Sequence, residues 1–247
     1  MENIKVVLIT QARIGSSRLP KKVLMNIKGK TLLQIHLENA SRAKLVDHFI
    51  VATTDEIDSQ LICDQAINSG WSFFQGSLND VLTRFYDSVK LIEPTWIVRL
   101  TSDCPFVQPS IIDMMIDTAI TGNYDYVSTS ENFPDGVDVE VFKFKMLESA
   151  YNLANVNSER EHVTPWIRKN ALKKFTVEPE ITHYSNVRLT VDEIADFHCA
   201  EILVDQIGFS ENWMKYSQYI ESNLEKFNNQ SIIRNEGYLK SLENDKK

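Results

Sequence analysis

Short apolar segments alternate with longer amphipathic segments along the first half of the chain. The short segments are rich in β-branched and aromatic residues and comprise residues 5–10, 49–54, 71–75, 96–101 and 124–129. The longer segments have helical spacing and comprise residues 32–43, 59–69, 79–91 and 110–121. Mostly apolar strands separated by helices predict a parallel sheet that is covered on both faces. The pattern therefore predicts a three-layer α/β fold, whose ligands bind beyond the carboxyl ends of the strands.

The pattern changes after Pro134. Residues 137–142 alternate with a period of two, which predicts a half-exposed strand. Helical segments at 145–154 and 159–170, strands at 174–177 and 187–190, and a helix at 194–206 are predicted to follow. We interpret the chain as one domain, 1–247, with an inserted lobe at 134–186 and the strand at 187–190 returning to the main sheet. Residues 211–247 are predicted to form a helical extension, with 243–247 frayed.

Composition excludes several classes of protein. The 247 residues are 43% hydrophobic and 24% charged, which is enough to bury a sizeable core. Apolar runs fall short of the ~20 residues that a membrane span needs, and the run Val6–Ile9 is shorter than a signal-peptide core. We therefore expect a cytoplasmic protein. Three widely separated cysteines indicate neither a disulfide framework nor a zinc cluster.

The net charge is −8, which disfavours nucleic acid as a partner. The basic residues are nevertheless uneven, because six of them lie in an N-terminal window without an acidic residue: Arg13, Arg18, Lys21, Lys22, Lys28 and Lys30. On an acidic protein, such a local positive field suits a small polyanion. A solvated basic loop is the alternative interpretation.

Residues 11–22 follow directly after the first predicted strand. Small residues there leave room for backbone N–H groups to face phosphate oxygens, and the cations supply charged donors. The small residues are Ala12, Gly15 and Ser16, and the cations are Arg13, Arg18 and Lys22. The segment lacks the ending of a Walker A loop and the Gly-x-Gly-x-x-Gly pattern of dinucleotide-binding proteins. Composition alone leaves phosphate binding and a plain turn equally open.

The same segment resembles the signature loop of the nucleotide-sugar pyrophosphorylase superfamily, A-R-x-G-S-x-R-L-P-G-K, with Lys21 in place of the usual glycine. It is most similar to the cytidylyltransferase branch, which activates acidic sugars as CMP esters, and to the neighbouring spore-coat polysaccharide (SpsF-like) group. Further strings resemble these groups in the same order, at 98–105, 159–165, 189–193 and 234–239. The resemblance therefore extends over almost the whole chain.

The resemblance implies an Mg²⁺-dependent nucleotidyltransferase that uses CTP, or another nucleoside triphosphate, and a sugar-like acceptor. It gives Arg13, Arg18, Lys22 and Asp103 catalytic roles, and it makes Asp103 and Asp192 ligands of the metal. Their positions alone leave alternatives, which are a strand-end turn for Asp103 and a helix N-cap for Asp192. Analogy with related synthetases also favours a homodimer that uses the insert as its interface.

The remaining candidates would bind substrates. Asp138 and Glu140 lie on one face of the strand predicted at 137–142, where they either accept hydrogen bonds from substrate hydroxyls or are solvated. Arg160 and His162 are candidates for binding a carboxylate or phosphate, because zinc would need further ligands at suitable spacing.

Asp80 and Arg84 either pair with each other at i, i+4 or, as the resemblance implies, lie near the nucleotide. Two alternatives to the synthetase remain. One is a glycosyltransferase that consumes a nucleotide sugar, although the usual Asp-x-Asp is missing at Asp103. The other is a catalytically silent nucleotide-binding domain.

Overall fold

A computed structural model describes residues 5–246, so residues 1–4 and 247 of the proposed domain lie outside the described part. The strands are β1 (Val6–Gln11), β2 (Asn26–Ile27), β3 (Lys30–Thr31), β4 (His48–Thr54), β5 (Ser72–Gly76), β6 (Trp96–Thr101), β7 (Tyr126–Thr129), β8 (Glu140–Lys143) and β9 (Lys174–Val177). Seven of them form one sheet in the order β5-β4-β1-β6-β8-β7-β9, and β2 and β3 form a separate hairpin. Only β8 runs antiparallel to its neighbours in the large sheet, which confirms the predicted mostly parallel α/β fold.

Helices cover both faces of the sheet. They are α1 (Leu32–Ala40), α2 (Gln60–Asn68), α3 (Val81–Val89), α4 (Pro109–Gly122), α5 (Phe144–Leu153), α6 (Asn157–His162), α7 (Pro165–Asn170), α8 (Ile194–Gln206), α9 (Trp213–Glu221) and α10 (Glu236–Asn244). Leu8 of β1 packs into one core with α1, α2, α4, α8 and α9, whereas Val7 and Ile9 pack into a second core with α3, α5 and α7. Alternating side chains of β1 are therefore buried on opposite faces, which explains why its sequence is apolar throughout.

The strand predicted at 187–190 is wrong. These residues make one isolated bridge, between Asp135 and Arg188. Their backbone N–H groups bond to loops instead of to a strand, since Leu189 N donates to Asp135 O and Val191 N donates to Asp103 O. The segment therefore joins two loops at the carboxyl edge of the sheet instead of adding a strand to it.

Two other predicted elements differ in extent. The helix predicted at 159–170 is two short helices, because Val163 has a left-handed φ of 68° and Pro165 begins a new helix at α7. The strand predicted at 137–142 begins only at Glu140. Asp138 lies before it in a turn, where its carboxylate accepts a hydrogen bond from Gly136 N at 2.9 Å. Asp138 and Glu140 therefore do not share a strand face.

The lobe and the C-terminal extension both pack onto the main sheet. β8 and β9 pair with β7 on either side, and α9 buries Trp213, Tyr216 and Ile220 in the first core. The division into one domain with an inserted lobe, like the homodimer, stays a prediction. Within residues 5–246, no helix is both long and apolar enough to cross a membrane.

Candidate active site

A cavity of about 1010 Å³ lies at the carboxyl edge of the sheet. The loop after β1, the turn after β6 and the start of β8 form its floor, and α6, α7 and α10 form its walls. Parallel strands end at this edge, so the loops that follow them converge here. This is where the sequence predicts the chemically active residues.

Lys22, Asp103 and Asp192 meet in the cavity. Lys22 Nζ lies 2.9 Å from an Asp103 carboxylate oxygen and 2.8 Å from one of Asp192. Burial opposes the charge of Lys22, but the two carboxylates outweigh it and raise the pKa of the ammonium above its usual value. Burial likewise opposes the charge of Asp103, yet Lys22 brings the pKa of that carboxyl well below its usual range. Residues from three distant segments thus form one charged cluster.

Arg18 extends this cluster toward the C-terminal helix. Its guanidinium lies 3.0 Å from Asp192 and 3.2 Å from the carboxylate of Glu236, the first residue of α10. The side chain is 30% exposed, so it is accessible from the cavity. Arg18 and Lys22 therefore share the Asp192 carboxylate, and both can exchange it for a ligand oxyanion.

Arg188 holds the other side of Asp192, and sequence reasoning missed it. Its nearly buried guanidinium lies 2.8 Å from Asp196 and 3.2 Å from Asp192, and it also pairs with Asp135. Burial, followed by repulsion from Asp138 and Asp192, raises the pKa of Asp135 to about 6. The available signal was a single cation in an otherwise apolar stretch, which needs buried acidic partners.

Asp196 is buried, and its carboxylate accepts hydrogen bonds from Arg188. It also forms a capping box with Glu193, which is the N-cap of α8. The alternative N-cap role of Asp192 is therefore wrong. Its carboxylate is instead directed to Arg18, Lys22 and Arg188.

Arg84 and Arg13 form a second cationic group. Arg84 is only 2% exposed, donates one hydrogen bond to Ser77 O, and has no partner at Nε. Burial and the neighbouring Arg13 lower the pKa of Arg84 to about 10. Arg13 is exposed and makes no hydrogen bond or ion pair within the described part of the chain. Two adjacent guanidinium groups without a carboxylate partner favour a bound anion.

The predicted pair between Asp80 and Arg84 is wrong. Asp80 is the N-cap of α3, and its carboxylate also accepts a hydrogen bond of 2.8 Å from Arg160. Arg160 further donates to Thr83 Oγ1 and to the carbonyl oxygens of Tyr151 and Ala154. Its guanidinium therefore joins α3 to α6, although the residue lines the cavity.

His162 and Glu140 have protein partners as well. His162 Nε2 lies 3.1 Å from the Ser241 hydroxyl, and burial lowers the pKa of the imidazole. Glu140 accepts hydrogen bonds from Arg99 and from the Tyr126 hydroxyl, and its side chain is only 14% exposed. The solvated alternative is therefore wrong for Glu140. Arg99, like Arg188, is a cation within an apolar stretch that sequence reasoning missed.

The loop after β1 follows the signature with one departure. Ala12, Arg13, Ser16 and Arg18 line the cavity, whereas Gly15 is exposed outside its wall. Lys21 replaces the usual glycine and adopts a left-handed φ of 57°. Glycine adopts this conformation without strain, which explains its preference at this position in the signature.

Asp103 and Asp192 suit Mg²⁺ by ligand type. Mg²⁺ binds one or two carboxylates and completes its shell with phosphate oxygens and water. No group of three or more acidic, histidine or cysteine side chains is arranged to hold a metal among residues 5–246. A metal at these two carboxylates would therefore need oxygens from a substrate, as a nucleoside triphosphate supplies.

A mostly parallel α/β sheet with a cationic loop and converging carboxylates at its carboxyl edge fits the class of nucleotidyltransferases. A family model described as "Cytidylyltransferase" matches residues 7–230. The chain therefore belongs to the cytidylyltransferase family.

Individual relatives agree with this assignment. The chain is similar to an uncharacterized protein of Methanocaldococcus jannaschii, with 40% identity over 197 residues that cover 78% of this chain and 81% of that protein. It is also similar to the spore coat polysaccharide biosynthesis protein SpsF of Bacillus subtilis, with 33% identity over 82% of this chain and 88% of that protein. Among solved structures, a cytidylyltransferase from Leptospira borgpetersenii is 30% identical, with a TM-score of 0.86 over 94% of this chain and 100% of that one.

Proposed function

We propose that the protein transfers the CMP group of CTP to a sugar-like acceptor, depends on Mg²⁺, and releases pyrophosphate. The observation that carries this proposal is the cluster in which Lys22 bonds to both Asp103 and Asp192. Membership in the cytidylyltransferase family supports CTP as the nucleotide. The similarity to SpsF supports an acceptor used in polysaccharide biosynthesis.

The reaction requires little covalent chemistry from the protein. An acceptor oxygen attacks the α-phosphorus of CTP, the bond from that phosphorus to the bridging oxygen breaks, and pyrophosphate leaves with the electron pair. A hydroxyl acceptor gives its proton to the solvent. Such a displacement is accelerated by in-line positioning and by neutralisation of the phosphate charges. Arg13, Arg18 and Lys22 are the residues that we assign to this neutralisation.

Arg18 and Lys22 change partners in this mechanism. In the structure, both are paired with carboxylates. The phosphate oxygens of the triphosphate bind cations more strongly than carboxylates do. We therefore expect Arg18 and Lys22 to turn toward the triphosphate and to release Asp103 and Asp192. Mg²⁺ bound by these two carboxylates would polarise the α-phosphate and lower the pKa of the attacking hydroxyl.

Arg84 and Arg13 would bind a further part of the nucleotide. Their lack of carboxylate partners makes this part of the cavity favourable for a phosphate group without prior loss of an ion pair. Asp80 and Arg160 would act indirectly in this proposal, because their hydrogen bonds hold α3, which carries Arg84, against α6.

The test is release of pyrophosphate from CTP in the presence of Mg²⁺ and a panel of sugar acids and sugar phosphates. Replacement of Asp103 by Asn removes a charge that would bind the metal, so we expect turnover to fall by roughly 10³-fold in a variant that is still folded at the assay temperature. Asp205→Asn is the matched control, since Asp205 is an exposed carboxylate paired with Lys28. Its turnover should equal that of the wild type.

Three results would contradict the proposal. Turnover of Asp103→Asn equal to that of the wild type would disprove the assignment of Asp103 as a metal ligand. Hydrolysis or transfer of sugar from a nucleotide sugar, without pyrophosphate release from any triphosphate, would favour the glycosyltransferase. Nucleotide binding without turnover over the whole panel would favour a silent domain.

A further inference from the structure

Arg168 is a cation of the cavity that the proposed nucleotide chemistry does not use. It lies in α7, is exposed, and lines the cavity wall. Its guanidinium carbon lies 5.5 Å from the centroid of the Tyr238 ring, within the range of a cation–π contact. No hydrogen bond or ion pair engages this guanidinium in the region from residue 5 to residue 246.

The order of the strands places Glu140, which Arg168 neighbours, one strand beyond the strand that Asp103 follows. The loop follows β1, Asp103 follows the neighbouring β6, and Glu140 begins β8, the next strand along. Arg168 is one of the charges that lower the pKa of the buried Glu140 carboxyl, so it lies near β8. A nucleotide bound by the loop and an acceptor near β8 would then meet at Asp103.

The acidic groups at this end of the cavity have other partners. Glu140 bonds to Arg99 and to the Tyr126 hydroxyl. Glu161 accepts a hydrogen bond of 2.7 Å from Ser241 and lies 3.8 Å from His162. Arg168 therefore keeps a positive charge that no carboxylate contacts directly, which favours an oxyanion on the ligand.

The C-terminal helix supplies the opposite wall. Tyr238 of α10 contacts both the Arg168 guanidinium and the His162 ring. The centroids of the Tyr238 and His162 rings lie 5.0 Å apart. Arg234 anchors the start of this segment through the carbonyl oxygens of Glu131 and Phe133, at 3.0 and 2.9 Å. The segment lies beyond residues 7–230, which the family model matches. Residues of the string at 234–239, which resembles the SpsF-like group, thus complete this wall.

We propose that Arg168 and Tyr238 form the acceptor end of the site and determine acceptor specificity. Arg168 binds an oxyanion of the acceptor, either a carboxylate or a phosphate, and the Tyr238 ring packs against its carbon skeleton. The inference rests on the proposed function, because it assigns the second substrate of the same reaction.

Calorimetric titration at equilibrium tests this assignment without turnover. The ligands are 3-deoxy-octulosonate and a nonulosonate as carboxylates, mannose 1-phosphate as a phosphate, and mannose as an uncharged sugar. Each is titrated with Mg²⁺, in the presence and absence of α,β-methylene-CTP. We expect at least one anionic sugar to bind and mannose not to bind, and the arm that binds identifies the oxyanion.

Arg168→Gln should weaken binding of that anionic sugar by about tenfold or more, since a charge-assisted hydrogen bond is lost. Tyr238→Ala should weaken it several-fold. Affinity for α,β-methylene-CTP should change by less than about twofold in both variants. Lys169→Gln and Leu239→Ala are matched controls, because these exposed neighbours lie outside the cavity wall. Both should bind as the wild type does.

Several outcomes would overturn the assignment. They are failure of every anionic sugar to bind, equal affinities for Arg168→Gln and Lys169→Gln, or loss of the CTP analogue instead of the sugar in Arg168→Gln. Failure of the wild type to bind the CTP analogue is a separate result, which counts against the proposed function. In that case, sugar binding alone still tests the assignment of Arg168 and Tyr238 to the acceptor.

Discussion

Single buried residues support the turn that carries Asp103. His36 is fully buried in α1, and its Nδ1–H donates a hydrogen bond of 2.8 Å to Cys104 O. Its Nε2 lies 2.9 Å from the Thr10 hydroxyl, which donates to the neutral ring. Burial lowers the pKa of His36 from its usual 6.5 to about 4. The ring is therefore neutral at pH 7 and links α1 and β1 to the residue that follows Asp103.

His36 should make stability depend on pH. Because its pKa is lower in the folded than in the unfolded protein, the unfolded chain binds the extra proton between about pH 6.5 and pH 4. Stability is thus present at neutral pH and is lost as the pH falls through this window, by about 3 kcal/mol in total. Urea unfolding of wild type and His36→Gln at pH 7, 5.5 and 4.5 measures this loss.

The variant should be less stable at pH 7 but should lose less stability on acidification. His198→Gln is the control for the loss of a histidine at an exposed position, since His198 is 61% exposed. An equal loss of stability in wild type and His36→Gln would disprove this account of His36.

At the scale of elements, the loops at the strand ends depend on backbone conformations that few residues adopt. Gly136 has a φ of 103° and lies against the segment 187–190, where an added Cβ would lie 2.5 Å from Thr190 N and 2.7 Å from the Leu189 carbonyl carbon. Asp135, beside it, accepts backbone hydrogen bonds from Leu189 and Thr190. Close approach of these two loops therefore requires a glycine.

Gly136→Ala should destabilise the protein by about 3 kcal/mol or more, because backbone strain and a clash with the main chain add together. Gly208→Ala is the matched control. Gly208 has a similar φ of 112°, but open space surrounds its Cβ position, so only strain of about 1 kcal/mol is expected. Denaturant unfolding measures both. Equal effects of the two substitutions would show that the predicted clash is relieved by movement of the loop.

At the scale of the whole molecule, an acidic protein places several cations without carboxylate partners in one cavity. The net charge is −8, yet Arg13, Arg84 and Arg168 line the site without a contacting carboxylate. The surrounding charge would oppose the approach of an anion, while the cavity retains it once bound. Arg13 and Arg84 thus favour the phosphates of a nucleotide, and Arg168 favours the oxyanion of an acceptor.

A screen of the four nucleoside triphosphates by thermal unfolding, with and without Mg²⁺, tests this expectation. A ligand selective for the folded state at 100 times its Kd stabilises it by about 2.7 kcal/mol. We expect the largest rise in melting temperature with CTP and Mg²⁺ together, and a smaller rise when EDTA removes the metal. An equal rise for all four nucleotides would disprove selectivity for cytosine, and no effect of EDTA would disprove a metal-assisted complex.

The strand and helix order of residues 5–130 could be predicted from the chain because hydrophobic periodicity is local. The segment 187–190 could not, since its apolar residues suit a strand but Arg188 is drawn to Asp135, Asp192 and Asp196. The helix predicted at 159–170 failed for a local reason, the left-handed Val163 before Pro165. Arg99 and Arg188 each interrupt an apolar stretch, and this pattern could have predicted their ion pairs with acidic residues.

The α/β class, the cationic loop after β1 and the strand-end position of Asp103 follow from the local sequence, because they depend on neighbouring residues. Which charges meet depends on the packing of the whole chain. Lys22 and Asp192 are 170 residues apart in the sequence, and Arg234 and Asp138 are 96 residues apart. Such contacts depend on how the crossovers stack and on where α10 packs, and local periodicity carries no information about either.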